Sequence, residues 1–321
     1  MADIGFHASH EQISPRQLLA DVQRAEQAGF TSAMCSDHFS AWSERQGQSG
    51  FAWSWLGAAL ASTSLRFGVV NAPGQRYHPA IVAQAIATLD QMFPGRFWAA
   101  LGTGENSNEH ITGDAWPRKE HRSERLRESV DIIRALHAGE TVSHEGHVTV
   151  HRARLFTLPT EPPPLVGAAV SEETARWCAE WADGLITVGI DPRGVARIKD
   201  AYREAGGRGP VTLQLHLSWA PTDDEALAIA HDQWRSNVFA PPVCWDLAEI
   251  AHFDEVSKHV EPRHMHDVVR ISADLDRHAQ WLREYVEAGF DAVMLHHVGQ
   301  EQEAFIDAFG QHVLPQVGVS A

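Results

Sequence analysis

Ser32-Ala33-Met34-Cys35-Ser36-Asp37-His38-Phe39-Ser40-Ala41-Trp42 runs strand-like apolar residues straight into a carboxylate, an imidazole and an aromatic. Ala33, Met34 and Cys35 suit a short buried strand, and Asp37-His38 falls where that strand ends. In a parallel α/β barrel the carboxyl ends of the strands gather the chemistry. An imidazole changes charge near neutral pH, so beside a carboxylate at such a point it is a general acid/base candidate. Taken alone, the pair reads equally well as a turn cap followed by a half-buried packing residue. The flanking sequence decides between them.

On the N-terminal side, Asp3 to His7 predicts a first strand. Ser14-Pro15 then opens an amphipathic helix through Leu18, Leu19, Val22, Ala25 and Ala28, with Ser14 as N-cap and Pro15 as first residue. Strand, helix, strand at this spacing demands a right-handed parallel crossover. On the C-terminal side the unit repeats, with strands over 65–70, 97–101, 165–169, 184–188, 211–220 and 292–295. Helices are expected over 79–92, 119–137, 193–205, 274–288 and 302–313. Eight strands alternating with helices predict one (β/α)8 TIM barrel over 1–321. Two insertions interrupt it: a hairpin at about 139–164, turning at Glu145-Gly146, and a helical segment at about 223–270 that covers the barrel mouth. Trp53 and Trp55, in the aromatic, Ala-rich stretch 51–63, carry no assigned role.

A chain of 321 residues suits a single barrel with insertions. Hydrophobic residues at 44% and charged residues at 21% are globular proportions, and no apolar run approaches the length of a bilayer span. The opening Met-Ala-Asp-Ile-Gly-Phe-His has neither the basic region nor the apolar core of a signal peptide, so a cytoplasmic protein is expected. Cys35, Cys178 and Cys244 are widely spaced and odd in number, which supports neither a disulfide framework nor a zinc ribbon. Lys plus Arg at 26 against Asp plus Glu at 42 gives a net charge of −16. That balance argues against nucleic acid as a partner and against a highly anionic substrate. The 20 histidines raise the question of a metal-dependent hydrolase. Barrel metal sites need ligands converging from strand ends. The close pairs, His264-x-His266 and His296-His297, fall in a helical-looking segment and at one late strand, so no metal is expected.

The strand over 97–101 runs into Gly102-Thr103-Gly104-Glu105-Asn106-Ser107-Asn108-Glu109, where two glycines let backbone approach a flat ligand or a phosphate. Ser107 stands where a dinucleotide fingerprint has its third glycine, and no acidic residue follows a second strand at the right interval, so a Rossmann fold is rejected. At the end of the strand over 165–169, Ser171 precedes Glu172 and Glu173. Helix capping accounts for it, and so does a hydroxyl placed to bind a cofactor phosphate.

Four segments together resemble the luciferase-like family of flavin- and deazaflavin-dependent oxidoreductases, over essentially the whole chain. They are Ser36-Asp37-His38-Phe39 with Trp42, Arg76-Tyr77-His78-Pro79-Ala80, Gly102-Thr103-Gly104-Glu105 with Asn108, and Leu126-Arg127-Glu128-Ser129. The pattern is similar to the branch containing the F420-dependent glucose-6-phosphate dehydrogenases. Gly74-Gln75-Arg76-Tyr77-His78-Pro79 and Gly310-Gln311-His312-Val313-Leu314-Pro315 look most like a subgroup using FMN. The resemblance implies a bacterial luciferase-like barrel, usually a homodimer. Asp37, Gly102, Thr103, Gly104 and Asn108 are implied to lie around the ring, and Val69, Val70 and Asn71 to form a bulge behind it, in relatives often built around a non-proline cis bond. Ala168, Ala169, Val170 and Ser171 are implied at the cofactor's phosphate end. His38 is implied as the proton-transfer residue and Glu105 as the opposing acid, with Trp42 and Glu11 shaping the substrate side.

The departures from that branch are informative. Ile190, Glu255 and Val268 stand at or near the places where sugar-phosphate dehydrogenases hold the substrate phosphate with cations, although Arg193, Lys258 and Arg270 are close in sequence. A phosphate dianion needs charge-assisted partners, so glucose 6-phosphate is not the expected substrate. Val170-Ser171 replaces a glycine pair that cradles coenzyme phosphate, and Glu172 and Glu173 oppose the polyanionic tail of F420. The expected cofactor is therefore FMN, with F420 as the alternative and NAD(P)H as a possible reductant. The expected function is hydride transfer between FMN and a small organic molecule, with or without dioxygen. Two alternatives stand beside it: an F420-dependent enzyme acting on a non-phosphorylated alcohol or sugar, and a flavin carrier without turnover. Retention of His38 and Glu105 together argues against a carrier.

Overall fold

The computed structural model describes residues 2–318. Its eight barrel strands are β1 (Asp3–Ala8), β2 (Ser32–Ser36), β3 (Arg66–Asn71), β4 (Phe97–Leu101), β5 (Leu165–Ala168), β6 (Leu185–Val188), β7 (Val211–Ser218) and β8 (Ala292–His297). All neighbours pair in parallel from β1 round to β8, and β8 pairs with β1, which closes the (β/α)8 TIM barrel.

Alternation along each strand sorts the side chains between two cores. Ile4, Phe6, Ala33, Cys35, Phe67, Val69, Leu213 and Leu215 point outward and are buried against the helices. Met34, Trp98, Ala100, Val166, Ile186 and Met294 point inward and fill the lower barrel. The inner packing needs two positions without a side chain. A Cβ on Gly68 would lie 2.0 Å from Trp98 Cζ2, and one on Gly5 would lie 2.2 Å from Met294 Sδ. Trp98 thus plugs the barrel from below and leaves its mouth for other residues.

The helices follow their local signals. In Pro15–Gln27, Ser14 Oγ accepts from Gln17 N–H, Pro15 starts the first turn, and Leu18, Val22 and Ala25 are buried. Helices Pro79–Met92 and Lys119–His137 have the bounds the sequence predicts, and Ala52–Ser62 fills the aromatic, Ala-rich stretch. The hairpin strands are Val142–Glu145 and Thr149–Ala153.

Two expectations are corrected below. The segment over 223–270 is helical in separate pieces. It comprises helices Asp223–Trp234, Val243–Asp246 and Ile250–Ser257, with short 3-10 turns at Arg235–Asn237 and Pro262–Asp267. Pro241, Pro242 and Pro262 stand at the interruptions, where a missing N–H and a fixed φ end helices. Its last residues, Arg270–Ile271, add a two-residue strand to β7. The closing helix is α-helical only over Glu303–Ala308 and continues as π and 3-10 turns to Gln316. Finally, β3 keeps continuous register with β4 through Asn71↔Leu101, and the one cis peptide bond among the described residues is Pro241–Pro242, so no bulge and no cis bond occur at 69–71.

The broken segment forms a roof over the barrel mouth, fastened at two acidic residues. Asp246 accepts from Trp116 Nε1–H (3.0 Å), and its backbone carbonyl accepts from Asn106 Nδ2–H (2.9 Å). Asp254 accepts from Ser43 Oγ–H (2.7 Å) and Glu44 N–H (2.9 Å) and pairs with Arg45 (3.2 Å). The roof is therefore tied to the loops that follow β4 and β2. No helix is long and apolar enough to cross a membrane among the described residues.

Candidate active site

Above the Trp98 plug lies a cavity of about 420 Å³, bounded by the loops at the carboxyl ends of the strands and by the roof. Its lining includes Glu11, Asp37, His38, Trp42, Val70, Asn71, Gly102, Thr103, Gly104, Glu105, Asn108, Ala168, Ala169 and Val170. Two sequence-predicted residues are not in that lining. Val69 faces outward and is fully buried among the helices. Ser171 Oγ accepts from Thr174 N–H and donates to Thr174 Oγ1 (3.0 Å), so its hydroxyl is occupied in capping helix Glu172–Cys178.

Two carboxylates of the cavity meet at His38. Its Nδ1 lies 2.6 Å from Glu11 Oε1 and its Nε2 lies 3.7 Å from Glu105 Oε2. Burial alone would push this imidazole down, but the carboxylate of Glu11, with help from Glu105, outweighs burial and holds His38 at about 9. Burial likewise opposes the charge on Glu11, yet His38 pulls it down to about 2. Near neutral pH the pair is thus carboxylate and imidazolium, with Nδ1–H committed to Glu11 and Nε2–H turned toward Glu105. Burial raises Glu105, with His38 acting in the opposite sense. Ser9 Oγ donates to Glu11 Oε2 (2.8 Å), and Trp42 packs edge-on against both His38 and Phe253, each at 5.5 Å between ring centres.

A second network fixes the loop that carries His38. Asp37 Oδ2 accepts from Asn71 Nδ2–H (2.9 Å) and Trp53 Nε1–H (3.0 Å), which gives Trp53 a task that sequence alone left open. Arg76 donates to the Asp37 carbonyl (2.6 Å), and its own N–H donates to Glu109 Oε2 (2.7 Å). Asn108 Oδ1 accepts from the N–H groups of Phe39 (2.8 Å) and Ser40 (3.1 Å), and its Nδ2 donates to Glu105 Oε2 (3.2 Å). One asparagine therefore couples the position of His38 to that of Glu105. Gly104 makes the turn possible, since its φ is +83° and an added Cβ would lie 3.2 Å from Ala72 Cβ.

The side of the cavity formed by β3, β4 and β5 is made of small residues: Val70, Ala72, Gly102, Ala168 and Ala169. Asn71 Oδ1 and Asp37 Oδ1 beside it, and Thr187 Oγ1 on β6, are buried without a protein partner. Small apolar walls with unpaired polar atoms at their edge fit a planar heterocycle with a hydrogen-bonding rim. Sequence reasoning placed anionic repulsion at Glu172, but Arg176 (3.2 Å) and Arg197 (3.6 Å) pair with that carboxylate. The objection to a polyanionic cofactor tail is weaker for it.

The opposite side, on β7, β8 and β1, holds residues the sequence reading did not assign: Gln214, His216, His296 and His7, with Trp234 above them. His7 stacks on His296 at 4.3 Å, and His216 meets His296 edge-on at 5.2 Å. Burial pushes His7 down to about 4, His216 to about 3, and His296 well below the usual imidazole range. The signal was present in β7, where Val211, Leu213, Leu215 and Leu217 alternate with Thr212, Gln214 and His216. In a barrel the second set must face inward.

His296 and the adjacent His297 point to opposite faces, and His297 stacks on Phe305 outside the barrel. Among the described residues no group of three or more His, Cys, Asp or Glu is arranged to hold a metal ion. The cations that lie near the phosphate positions in sequence are also placed elsewhere. Arg270 donates to the Ile190 carbonyl (2.5 Å) and lies over the Trp281 ring, while Lys258 pairs with Glu255 on the surface. Neither they nor Arg193 line the cavity.

A family model described as luciferase-like monooxygenase matches residues 1–292. An F420-dependent glucose-6-phosphate dehydrogenase of Beutenbergia cavernae is 32% identical over 329 residues, covering 99% of this chain and 98% of that protein. An F420-dependent hydroxymycolic acid dehydrogenase of Mycobacterium tuberculosis is 39% identical over 240 residues, covering 72% of this chain and 66% of that one. Among solved structures, an F420-dependent secondary alcohol dehydrogenase in complex with an F420-acetone adduct superimposes with a TM-score of 0.90 at 29% identity, covering 98% and 99% of the two chains.

Proposed function

The chain belongs to the luciferase-like monooxygenase family, and from that premise we propose that it is an oxidoreductase moving a hydride between a flavin-type ring and a small, non-phosphorylated alcohol or carbonyl compound. The observation that carries this reading is the Glu11–His38–Glu105 constellation at the cavity wall. A proton must enter or leave oxygen whenever hydride enters or leaves the carbon that bears it. His38 Nε2 is the group to handle that proton, because Nδ1–H is held by Glu11.

When bound, the ring accepts or donates the hydride. Val70, Asn71, Ala72, Gly102 and Ala168 would hold it, with Asp37 Oδ1, Asn71 Oδ1 and Thr187 Oγ1 available at its polar edge. In the reducing direction the His38 imidazolium gives its Nε2 proton to the substrate oxygen, and Glu11 stabilises the charge until then. In the oxidising direction neutral His38 Nε2 takes the proton from the alcohol. Glu105, raised by burial, faces the same nitrogen and serves as the opposing acid. Trp42 and the roof residues Phe239 and Trp245 exclude water around the transfer.

Two cofactors carry such a ring, and a different observation favours each. The F420-dependent relatives, similar along nearly the whole chain, favour F420. The exposed Glu173, three residues beyond Val170 in the cavity lining, favours the single phosphate of FMN over a polyanionic tail. Titration of the purified protein with each, followed by quenching of its 11 tryptophans, separates them. Tight binding of only one identifies the cofactor; binding of neither would sink the oxidoreductase reading. On the substrate side, Arg76 and Lys119 are the only Arg or Lys among the lining residues, and Arg76 is occupied by Asp37 and Glu109. Glucose 6-phosphate is accordingly not expected to be turned over, and saturable oxidation of it would overturn that part of the proposal.

A further inference from the structure

The wall opposite the ring slot has a hydrogen-bonding pattern that can be worked out atom by atom. Gln12 Nε2 donates to the Val298 carbonyl (2.6 Å) and to Gln233 Oε1 (3.3 Å), so the other amide atom, Oε1, is an acceptor. His296 Nε2 lies 2.9 Å from that oxygen and must carry its proton. A buried imidazole with no carboxylate against it is neutral and has a single N–H, so His296 Nδ1 is an acceptor. The Gln214 atom 3.4 Å from His296 Nδ1 is therefore its NH2, and the same NH2 lies 3.3 Å from His216 Nε2. His216 Nε2 is then also an acceptor, which places the only N–H of His216 on Nδ1. The reverse orientation of Gln214 would require a second proton on buried His296.

Two atoms are left over. Gln214 Oε1, an acceptor, and His216 Nδ1–H, a donor, have no protein partner among the described residues, and both side chains are partly exposed in the cavity. Their orientation is imposed from behind by Gln12 and His296. They sit on β7, under the roof and away from the small-residue wall of β3 to β5. We propose that Gln214 and His216 form a recognition floor for an uncharged group that both donates and accepts, such as a hydroxyl or carboxamide, carried by the substrate away from its reacting carbon. This rests on the assignment of the β3–β5 side to the ring. It narrows the substrate class to bifunctional neutral compounds such as hydroxylated alcohols and their ketones. An anion is excluded, because neutral imidazoles and an amide oxygen give it no charge to pair with.

The test uses 15N-histidine-labelled protein loaded with whichever ring cofactor it binds, or as isolated if it binds none. Its probes are cyclohexanol, trans-1,4-cyclohexanediol and cyclohexanecarboxylate. The expected result is a Kd for the diol about tenfold below that for cyclohexanol, the worth of one well-made neutral hydrogen-bond set, with no comparable gain for the carboxylate. The His216 15N resonances, identified by their loss in His216→Asn, should show the Nδ1–H form and move on adding the diol. Gln214→Leu should erase the tenfold preference while leaving ring Kd within twofold, and its melting temperature controls for folding. Equal or absent binding of diol and cyclohexanol, or preferred binding of the carboxylate, would overturn the floor. So would a Gln214→Leu variant that loses ring affinity and keeps the diol preference, since the floor would then read the ring. Discrimination of the diol by a protein that binds no ring would leave the floor standing and remove the oxidoreductase reading.

Discussion

His38 and His296 look into the same cavity and are held in opposite charge states. Both are buried. His38 has a carboxylate 2.6 Å from Nδ1 and is raised to about 9, whereas His296 has an amide oxygen 2.9 Å from Nε2 and is driven well below the usual range. One atom's charge in the contacting residue, Glu11 against Gln12, separates an acid from a fixed hydrogen-bonding surface. These two neighbours in sequence equip the two halves of the site: Glu11 serves the half that carries charge, and Gln12 serves the half that stays neutral. The abundance of histidine in this chain thus has no single explanation, and each imidazole must be read through its nearest partner.

Four substitutions break or sharpen that contrast, the largest expected effect first. His38→Ala should lower turnover roughly 10²–10⁴-fold while ring Kd stays within severalfold; loss of ring binding instead would make His38 a ligand contact. Glu11→Gln keeps a polar contact and removes the charge. With burial then opposed only by the more distant Glu105, His38 should fall from about 9 toward or below its ordinary ~6.5. With His38 in the proposed donor role, kcat/KM for carbonyl reduction by the wild type should hold below pH 9 and fall as pH rises through about 9. In Glu11→Gln that limb should move to lower pH, and an unmoved limb would assign it to another group. Gln12→Glu is the converse change. A carboxylate against His296 Nε2 should draw a second proton onto that ring, visible in its 15N shifts at pH 6. Because Val298 and Gln233 lose their donor, stability should drop by about 1–3 kcal/mol in urea unfolding. A neutral His296 in this variant would show that burial, not the partner, sets its state. The smallest effect is expected of Asp246→Ala, which cuts the roof's link to Trp116. It should cost about 0.5–1.5 kcal/mol locally, raising proteolysis within 236–249 with little change in the global melting temperature.

Much of the barrel was legible because its signals are local. Ser14-Pro15, Pro79 and Ser171 mark helix starts where the structure has them, and apolar alternation marks the strands. The charged half of the site was legible too, since Asp37-His38 and Gly102 to Glu105 each follow a strand directly. The neutral half was not, because Gln12, Gln214, His216 and His296 come from three distant strand ends and acquire meaning only through contacts of 82 to 284 positions in sequence separation. The roof was read as a helical segment, and where it breaks at Pro241, Pro242 and Pro262 was not specified. The bulge and cis bond behind the ring came from family resemblance, and this chain keeps β3 in regular register there. Trp53 was legible only as an aromatic, for nothing local tells that its indole N–H reaches Asp37.

The roof is fastened at Asp246 and Asp254 to the loops that follow β4 and β2, while the floor belongs to the barrel strands themselves. For protein engineering this makes the two surfaces of the cavity separable parts. A graft of residues 236–257 that keeps an acidic residue at both fastening points could reshape the entrance and the volume above the reacting carbon without touching Gln214 or His216. A graft that omits either fastening point would unsettle the loops holding His38 and Glu105, so changes meant for selectivity would surface as lost rate.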